Sequence, residues 1–332
     1  MKLYNTKETI LDDTKRGIAL VAPHLKEVGH GVGYLNKKFN DQTIPVISGG
    51  GAGHEPSDFG FVGENLLTAC VTGQLFTPPT ADEIVAVTKE VTQQKKAFFI
   101  VKNFPEDVAA FEKAFEMLSN EGWQIASCLV ADDISVDNKS LKKYRRGLAG
   151  TVLVEKIIGT LAQRGASLES LEKVGKELCK QIFTIGLAFS DSILTKSHAK
   201  DLTLGKDDIY YGVGIHGEAG YRKETWRPSE LMAREIVNKM RLNFKKYKKE
   251  GVALLVNNLG KLSPMEELIF TADISELLEL EGLRVDFIKT GSFMTSHDMS
   301  GVSVSLLLLQ EEWLDCLQAP STAYSWPNNG ER

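Results

Sequence analysis

From Ile44 to Ile182, short apolar runs alternate with stretches of helical periodicity, and that rhythm admits few folds. The run Ile44–Ile47 ends in glycines, and Ala97-Phe-Phe-Ile-Val-Lys is a strand by length and β-rich composition. Between them, Thr80-Ala-Asp-Glu-Ile opens a helix reaching about Gln93, with Thr80 as N-cap and Glu83 at the capping-box position. A helix over 107–120, a strand over 125–130 and two helices over 150–163 and 167–182 follow, and residues 6–22 carry apolar positions at helical spacing. Parallel strands need long crossovers, so this order calls for a mostly parallel sheet covered by helices.

The second half differs. It reads as strands over 183–189 and 210–216, then a long helix over 229–247 with Lys245, Lys246, Lys248 and Lys249 crowding its carboxyl end, where the dipole favours them. A strand at 252–256, a helix at 263–280 with Pro264 in its first turn, and strands at 283–288 and 302–309 complete it. The fold class is α/β: two α/β domains, each a β-sheet covered by helices, spanning 1–182 and 183–332. No Gly-, Ser- or Pro-rich linker separates them, so they are expected to pack closely. The tail from Pro320 reads as an irregular extension.

Composition removes several function classes. With 39 basic and 44 acidic residues the net charge is −5, which argues against a generally basic nucleic-acid binder. No apolar run approaches the ~18–20 residues of a membrane span, and the start, MKLYNTKETILDDTK, lacks the apolar stretch of a signal peptide. Cys70, Cys128, Cys179 and Cys316 are far apart in sequence with no CxxC, so they read as small hydrophobes of a reducing compartment rather than a zinc cluster. A cytoplasmic protein without a metal site is the expectation.

Four segments carry possible chemistry. Ser48-Gly-Gly-Gly-Ala-Gly-His-Glu-Pro follows an apolar strand, and its glycines permit positive φ and close approach to a ligand. It lacks the P-loop lysine and the GxGxxG spacing, and a tight turn capped by His54 is the competing reading. Lys102-Asn-Phe-Pro-Glu-Asp lies at the carboxyl end of a strand, the end that faces ligands in open α/β sheets; Asp107 fits either a ligand contact or a helix cap. In Gly212-Val-Gly-Ile-His-Gly-Glu-Ala-Gly, His216 stands between small residues just after a strand, which exposes its ring. Tyr144-Arg-Arg-Gly-Leu-Ala-Gly-Thr fits an anion contact or a helix entry equally. His24, His30 and His198 have no comparable setting, and His297 falls in a possible crevice loop.

Taken together, SGGGAGHEP, FTPPTADEI, VKNFPED, RRGLAGTVLVEKIIG, GVGIHGEAG, LLVNNLG and TSHDMSG resemble, in order and over nearly the whole chain, the substrate-binding subunit of the dihydroxyacetone kinase family (DhaK-like). The resemblance implies a homodimer of two-domain α/β chains. It implies that His216 attacks the ketone carbon as a neutral imidazole and holds it as a hemiaminal, which selects a carbonyl compound over glycerol. His54 and Asp107 would hydrogen-bond the ligand hydroxyls and, in a kinase, serve as general base or acid. Gly51, Ala52 and Gly53 would supply backbone contacts, and Lys102 would line the site. The chain carries no nucleotide motif and so no cofactor of its own; in a kinase the nucleotide and its Mg sit on a DhaL-type partner.

Several positions depart from the family's pattern. Ala52 replaces a serine, Ala219 a proline and Tyr144 a glycine, PTPD becomes PTAD, and N-Y-[TS]-G-D becomes Asn103-Phe104-Pro105-Glu106-Asp107. Pro105 stiffens that loop, and a carboxylate ~5 Å from a unit negative charge costs ~3 kcal/mol at an effective dielectric of ~20. That is about two orders of magnitude in the rate of transferring a phosphoryl group. The family resembled includes a co-activator without transfer, so the resemblance implies a dihydroxyacetone-binding co-activator of the kinase operon, acting through a TetR-type regulator (DhaS-like) without touching DNA itself. The alternative is a catalytic subunit that takes phosphate from the DhaL-type partner.

Overall fold

The computed structural model describes residues 3–135, 145–190, 207–216, 218, 220–244, 251–297 and 299–327. Two six-stranded sheets are present. The first contains β1 (Leu25–Val28), β2 (Gly33–Asn36), β3 (Val46–Ala52), β4 (Ala69–Leu75), β5 (Lys96–Lys102) and β6 (Gln124–Val130), in the order β1-β2-β4-β3-β5-β6. From β4 to β6 the neighbours are parallel, and β1 and β2 pair antiparallel at one edge. The second contains β7 (Ile182–Ser190), β8 (Asp208–Tyr211), β9 (Arg222–Thr225), β10 (Gly251–Asn258), β11 (Arg284–Gly291) and β12 (Ser300–Leu308), in the order β11-β10-β12-β7-β8-β9. Only its β10–β11 pair is parallel.

Alternating side chains on each strand sort the core into layers. On β5, Phe98 and Ile100 face one cluster while Ala97, Phe99 and Val101 face another. The second cluster lies under α2 (Ala81–Val91) and α3 (Pro105–Asn120). The first is filled by α4 (Thr151–Gln163) and α5 (Leu168–Gln181), and it also receives Ala253, Leu255 and Leu307 from the second sheet. The other faces of β10 and β12 pack on α6 (Ser229–Phe244) and α7 (Pro264–Leu280). Strands buried on both faces are apolar throughout, and for that reason they read as continuous runs. With both sheets contributing to its cluster, α4 is buried from Thr151 to Ala162, its polar Glu155, Lys156 and Thr160 included.

The capping boxes at Thr80 and Ser263 are both formed. Elsewhere the structure differs from the sequence expectation. Ser48–Ala52 are strand residues of β3, not a loop, and among Gly49, Gly50, Gly51 and Gly53 only Gly53 takes a positive φ, of 104°. A Cβ on Gly49 would lie 2.4 Å from the Val71 carbonyl oxygen, so that glycine serves close strand approach rather than a turn. The strand expected over 210–216 ends at Tyr211, which leaves His216 in a loop. The helix expected to Tyr247 is described to Phe244, and the four crowded lysines lie outside the described residues, as do Tyr144 and His198. Before Pro320, α8 (Glu311–Gln318) adds a helix that packs on α4. The tail beyond it is irregular but not peripheral: Trp326 is fully buried, its ring stacked on Phe287 at 6.0 Å. Cys128 and Cys179, far apart in sequence, are neighbours across β6 and α5, and all four cysteines are free thiols. Among the described residues no helix is long and apolar enough to cross a membrane.

Candidate ligand site

The site forms where β3 and β5 end side by side and the loop after β8 comes down on them. His54 follows β3, and its Nδ1 donates to the Thr295 carbonyl oxygen at 2.8 Å. A carbonyl only accepts, so Nδ1 carries the hydrogen. Burial, and then the neighbouring His216 ring, push His54 down to about 3, which keeps it neutral. Its Nε2 faces Nε2 of His216 at 3.0 Å. The His216 side chain is 28% exposed, as its setting among small residues suggested. Phe104 packs edge-on against it at 4.6 Å, and Phe76 closes the other side of the pair at 5.4 Å from His54.

At the end of β5, Lys102 is buried and reaches both carboxylate oxygens of Asp58 at 2.8 Å. Burial works against its charge, but Asp58, Glu155 and Asp107 together outweigh it and hold the ammonium above its usual range. Asp107 is the third residue of α3, whose N-cap is Phe104, so it is not the helix cap. Its carboxyl is buried, and Oδ1 has no hydrogen-bond partner. Burial pushes it up to about 6 against the pull of Lys102 and His216. Glu155 of α4 is fully buried and also acts on Lys102. Burial and then Asp58 push Glu155 well above its ordinary range. One ammonium thus stands among three carboxyls, and burial raises Asp107 and Glu155 toward their protonated forms.

His54, His216, Lys102 and Asp107 are therefore brought together. The glycine segment contributes differently from expectation. An ideal Cβ on Gly50 would stand 3.0 Å from Lys102 Cε and 3.4 Å from Asp107 Oδ1, so the missing side chain keeps that space open. The Gly53 N–H, expected to meet a ligand, is already donated to the Glu55 carboxylate at 3.0 Å. The Ala52 carbonyl accepts from the Phe76 N–H at 2.8 Å. Gly51 lies within 2.6 Å, measured from an ideal Cβ, of the Thr77 nitrogen. Beside this turn a cleft of about 690 Å³ opens, lined by Gly53, Glu55, Leu75 and His297 and across from them by helix α1 (Ile10–Val21).

The segment that carries Arg146 leads into α4, with Gly150 as its N-cap and Thr151 as its first residue, so it is a helix entry. Arg146 binds Asp133 at 2.7 Å and the Gly212 carbonyl at 2.8 Å, and it faces Glu218 at 3.6 Å. Asp58, Thr295 and Glu155 were not singled out by sequence. Their partners are distant in the chain, and no local spacing marks them. Glu106 is exposed, in the first turn of α3. At water-like dielectric its penalty on a nearby phosphate falls below ~1 kcal/mol, which corrects the larger figure reached from sequence. Among the described residues no cluster of three or more His, Cys, Asp or Glu is arranged to hold a metal.

An α/β chain of two sheets with paired histidines, a buried lysine and an acid at the strand ends belongs to a known class: residues 16–325 match the Dak1 domain, and the chain is a member of that family. It is 40% identical over 331 residues to the DhaKLM operon coactivator DhaQ of Lactococcus lactis, covering 98% of this chain and 100% of that protein. It is 39% identical to the dihydroxyacetone-binding subunit DhaK of the PTS-dependent kinase of the same bacterium, covering 98% of each. Among solved structures, a dihydroxyacetone kinase operon co-activator superposes with a TM-score of 0.90 at 39% identity, over 96% of this chain and 99% of that one. The dihydroxyacetone kinase of C. freundii superposes with 0.88 at 28% identity, over 99% of this chain and 60% of that one.

Proposed function

We propose that the chain is a cytoplasmic, homodimeric dihydroxyacetone sensor and co-activator, which holds the ketone as a hemiaminal on His216 and acts through a TetR-type regulator. The observation that carries the ligand assignment is the pairing of His216 with neutral His54 beside Lys102 and Asp107, whose side chains border the space left by Gly50. A nucleophilic ring, a neutral histidine and an acid held near 6 suit a small uncharged hydroxyketone. Lys102, the cation that borders that space, is ion-paired to Asp58, which disfavours a phosphorylated or carboxylated ligand.

The altered segment 103–107 supports the co-activator role over transfer. Pro105 starts α3 directly at the site, with Asp107 two residues on. Pro105 fixes φ in the first turn of α3, which stiffens a segment that transfer would need to adapt to a nucleotide-bearing partner. The relative named as a coactivator agrees with this reading. The chain divides on this reading at 182/183, between the paired helices α4 and α5 and the body of β7. A second reading, a catalytic DhaK subunit served by a DhaL-type partner, is favoured by the nearly equal identity to that subunit and by the complete set of ligand residues.

The test is affinity for a DhaS-like regulator, measured by calorimetry with dihydroxyacetone, with glycerol and with neither. Tightening by the ketone alone, lost in His216→Ala, is expected. Regulator binding that ignores the ketone, or none, would refute the co-activator role.

A further inference from the structure

His216 is held from both sides by groups that accept hydrogen. The Thr295 carbonyl fixes the hydrogen of His54 on Nδ1, so Nε2 of His54 is an acceptor toward His216 across 3.0 Å. On the other side, Oε1 of Glu218 lies 3.5 Å from His216 Nδ1, and Oε2 accepts the His216 backbone N–H at 2.9 Å. Burial alone would raise Glu218, but hydrogen bonding from His216 and the charge of Arg146 outweigh it and hold the acid at about 2. Arg146 itself is anchored on Asp133 at 2.7 Å and also grips the Gly212 carbonyl. It therefore clamps both ends of the loop that carries His216, at residues 212 and 218.

A neutral imidazole attacks through the nitrogen without hydrogen. Left with His54 as its only partner, a neutral His216 would keep its hydrogen on Nε2 to satisfy that contact, and Nε2 would be no nucleophile. Resting on the reading of His216 as the ketone-binding residue, we propose that Glu218, held in place by Arg146, is a positioning residue that keeps hydrogen on Nδ1 while Nε2 gives its own hydrogen to His54 and so becomes free for attack.

The step balances. With hydrogen on both nitrogens, the ring matches its two acceptors. The Nε2 hydrogen passes to His54, and the lone pair left on Nε2 forms the N–C bond as the carbonyl π bond breaks. The carbonyl oxygen takes the proton back from His54. One N–H and one C=O become one N–C and one O–H, and the positive charge stays on a ring whose Nδ1–H faces the Glu218 carboxylate. An orienting carboxylate does the same for the histidine of a hydrolase triad.

The test uses the full chain with ¹⁵N-labelled histidine. Long-range ¹H–¹⁵N spectra report which ring nitrogen bears hydrogen, and ¹³C-labelled dihydroxyacetone reports the adduct. In Glu218→Gln, His216 is expected to shift to the Nε2–H form, with adduct occupancy at least ~10-fold lower and formation ~100-fold slower. Glu218→Asp, which keeps the charge, should fall between this variant and the parent. An Nδ1–H ring and full adduct in Glu218→Gln, at an unchanged melting temperature, would overturn the role of Glu218. If Glu218→Gln fails to fold, Glu218→Asp decides alone: an adduct rate equal to the parent's overturns the role. A persistent adduct in His216→Ala would instead overturn the assignment of the nucleophile.

Discussion

Replacing Asp58 by Asn tests the electrostatic frame of the site. Lys102 and Asp58 meet at 2.8 Å with side chains only 6% and 5% exposed. Two unit charges at that separation attract by roughly 6 kcal/mol at an effective dielectric of ~20. Most of this offsets desolvation, and removing one partner of a buried pair leaves the other uncompensated, at a loss of ~3–5 kcal/mol. Asp107 and Glu155 also face Lys102, and Asp107 can ionise to take over as counter-ion. The expected loss for Asp58→Asn is therefore at the lower end, ~3 kcal/mol. Lys102→Met should lose a similar amount, because it leaves the Asp58 carboxylate buried with Ser57 as its hydroxyl donor at 2.6 Å. The double variant removes both charges and should lose less than the sum, with a coupling of at least ~2 kcal/mol. Urea unfolding followed by tryptophan fluorescence measures all four proteins. Additivity within ~0.5 kcal/mol would refute the reasoning, since it would mean that the pair is solvated.

Four further outcomes are expected. Asp107 sits at about 6 in the fold and near 3.9 unfolded, so the folded chain binds its proton more tightly; relative to Asp107→Asn, the parent should lose stability by up to ~3 kcal/mol as pH rises from about 4 to 6 and stay level above, as paired denaturant titrations would show. Gly50→Ala should abolish the ketone adduct while leaving most of the stability, because its Cβ would stand against Lys102 and Asp107; intact-mass measurement beside thermal unfolding checks both. Trp326→Ala removes a fully buried ring and should cost ~3–5 kcal/mol, read from the urea midpoint, and a tail that merely trails would show no loss. Changing Pro105 and Glu106 to Thr and Gly should raise phosphoryl transfer by less than ~10-fold through charge alone, because Glu106 is exposed; a larger gain would assign the defect to the stiffness of α3.

The parts of the fold that were legible in the sequence are those with strong local signals. Ala97–Lys102 announced a doubly buried strand, Thr80 announced a helix start through a side chain that bonds only a few residues away, and Pro264 marked the first turn of another. The antiparallel edge was not legible: Leu25–Val28 and Gly33–Asn36 are four residues each, half polar or glycine, and are held by pairing rather than by propensity. Glycines 49–51 read as a loop because a strand of glycines carries no alternation; what makes them strand is the proximity of Val71 and Thr77. His54, Asp107 and His216 stood out because small residues or a strand end surround them. Their supports did not: Thr295 is 241 residues from His54 and Asp58 is 44 from Lys102, and only the packed sheets bring those pairs within hydrogen-bond reach.

The most direct measurement supplies purified protein with dihydroxyacetone, a phosphoryl donor and a family nucleotide subunit in its loaded form, beside a working kinase subunit, and follows phosphate ester and protein mass together. A ketone adduct that depends on His216, with no phosphate ester formed, is the predicted result. Ester production near the rate of the working subunit would contradict it and make the chain a kinase subunit.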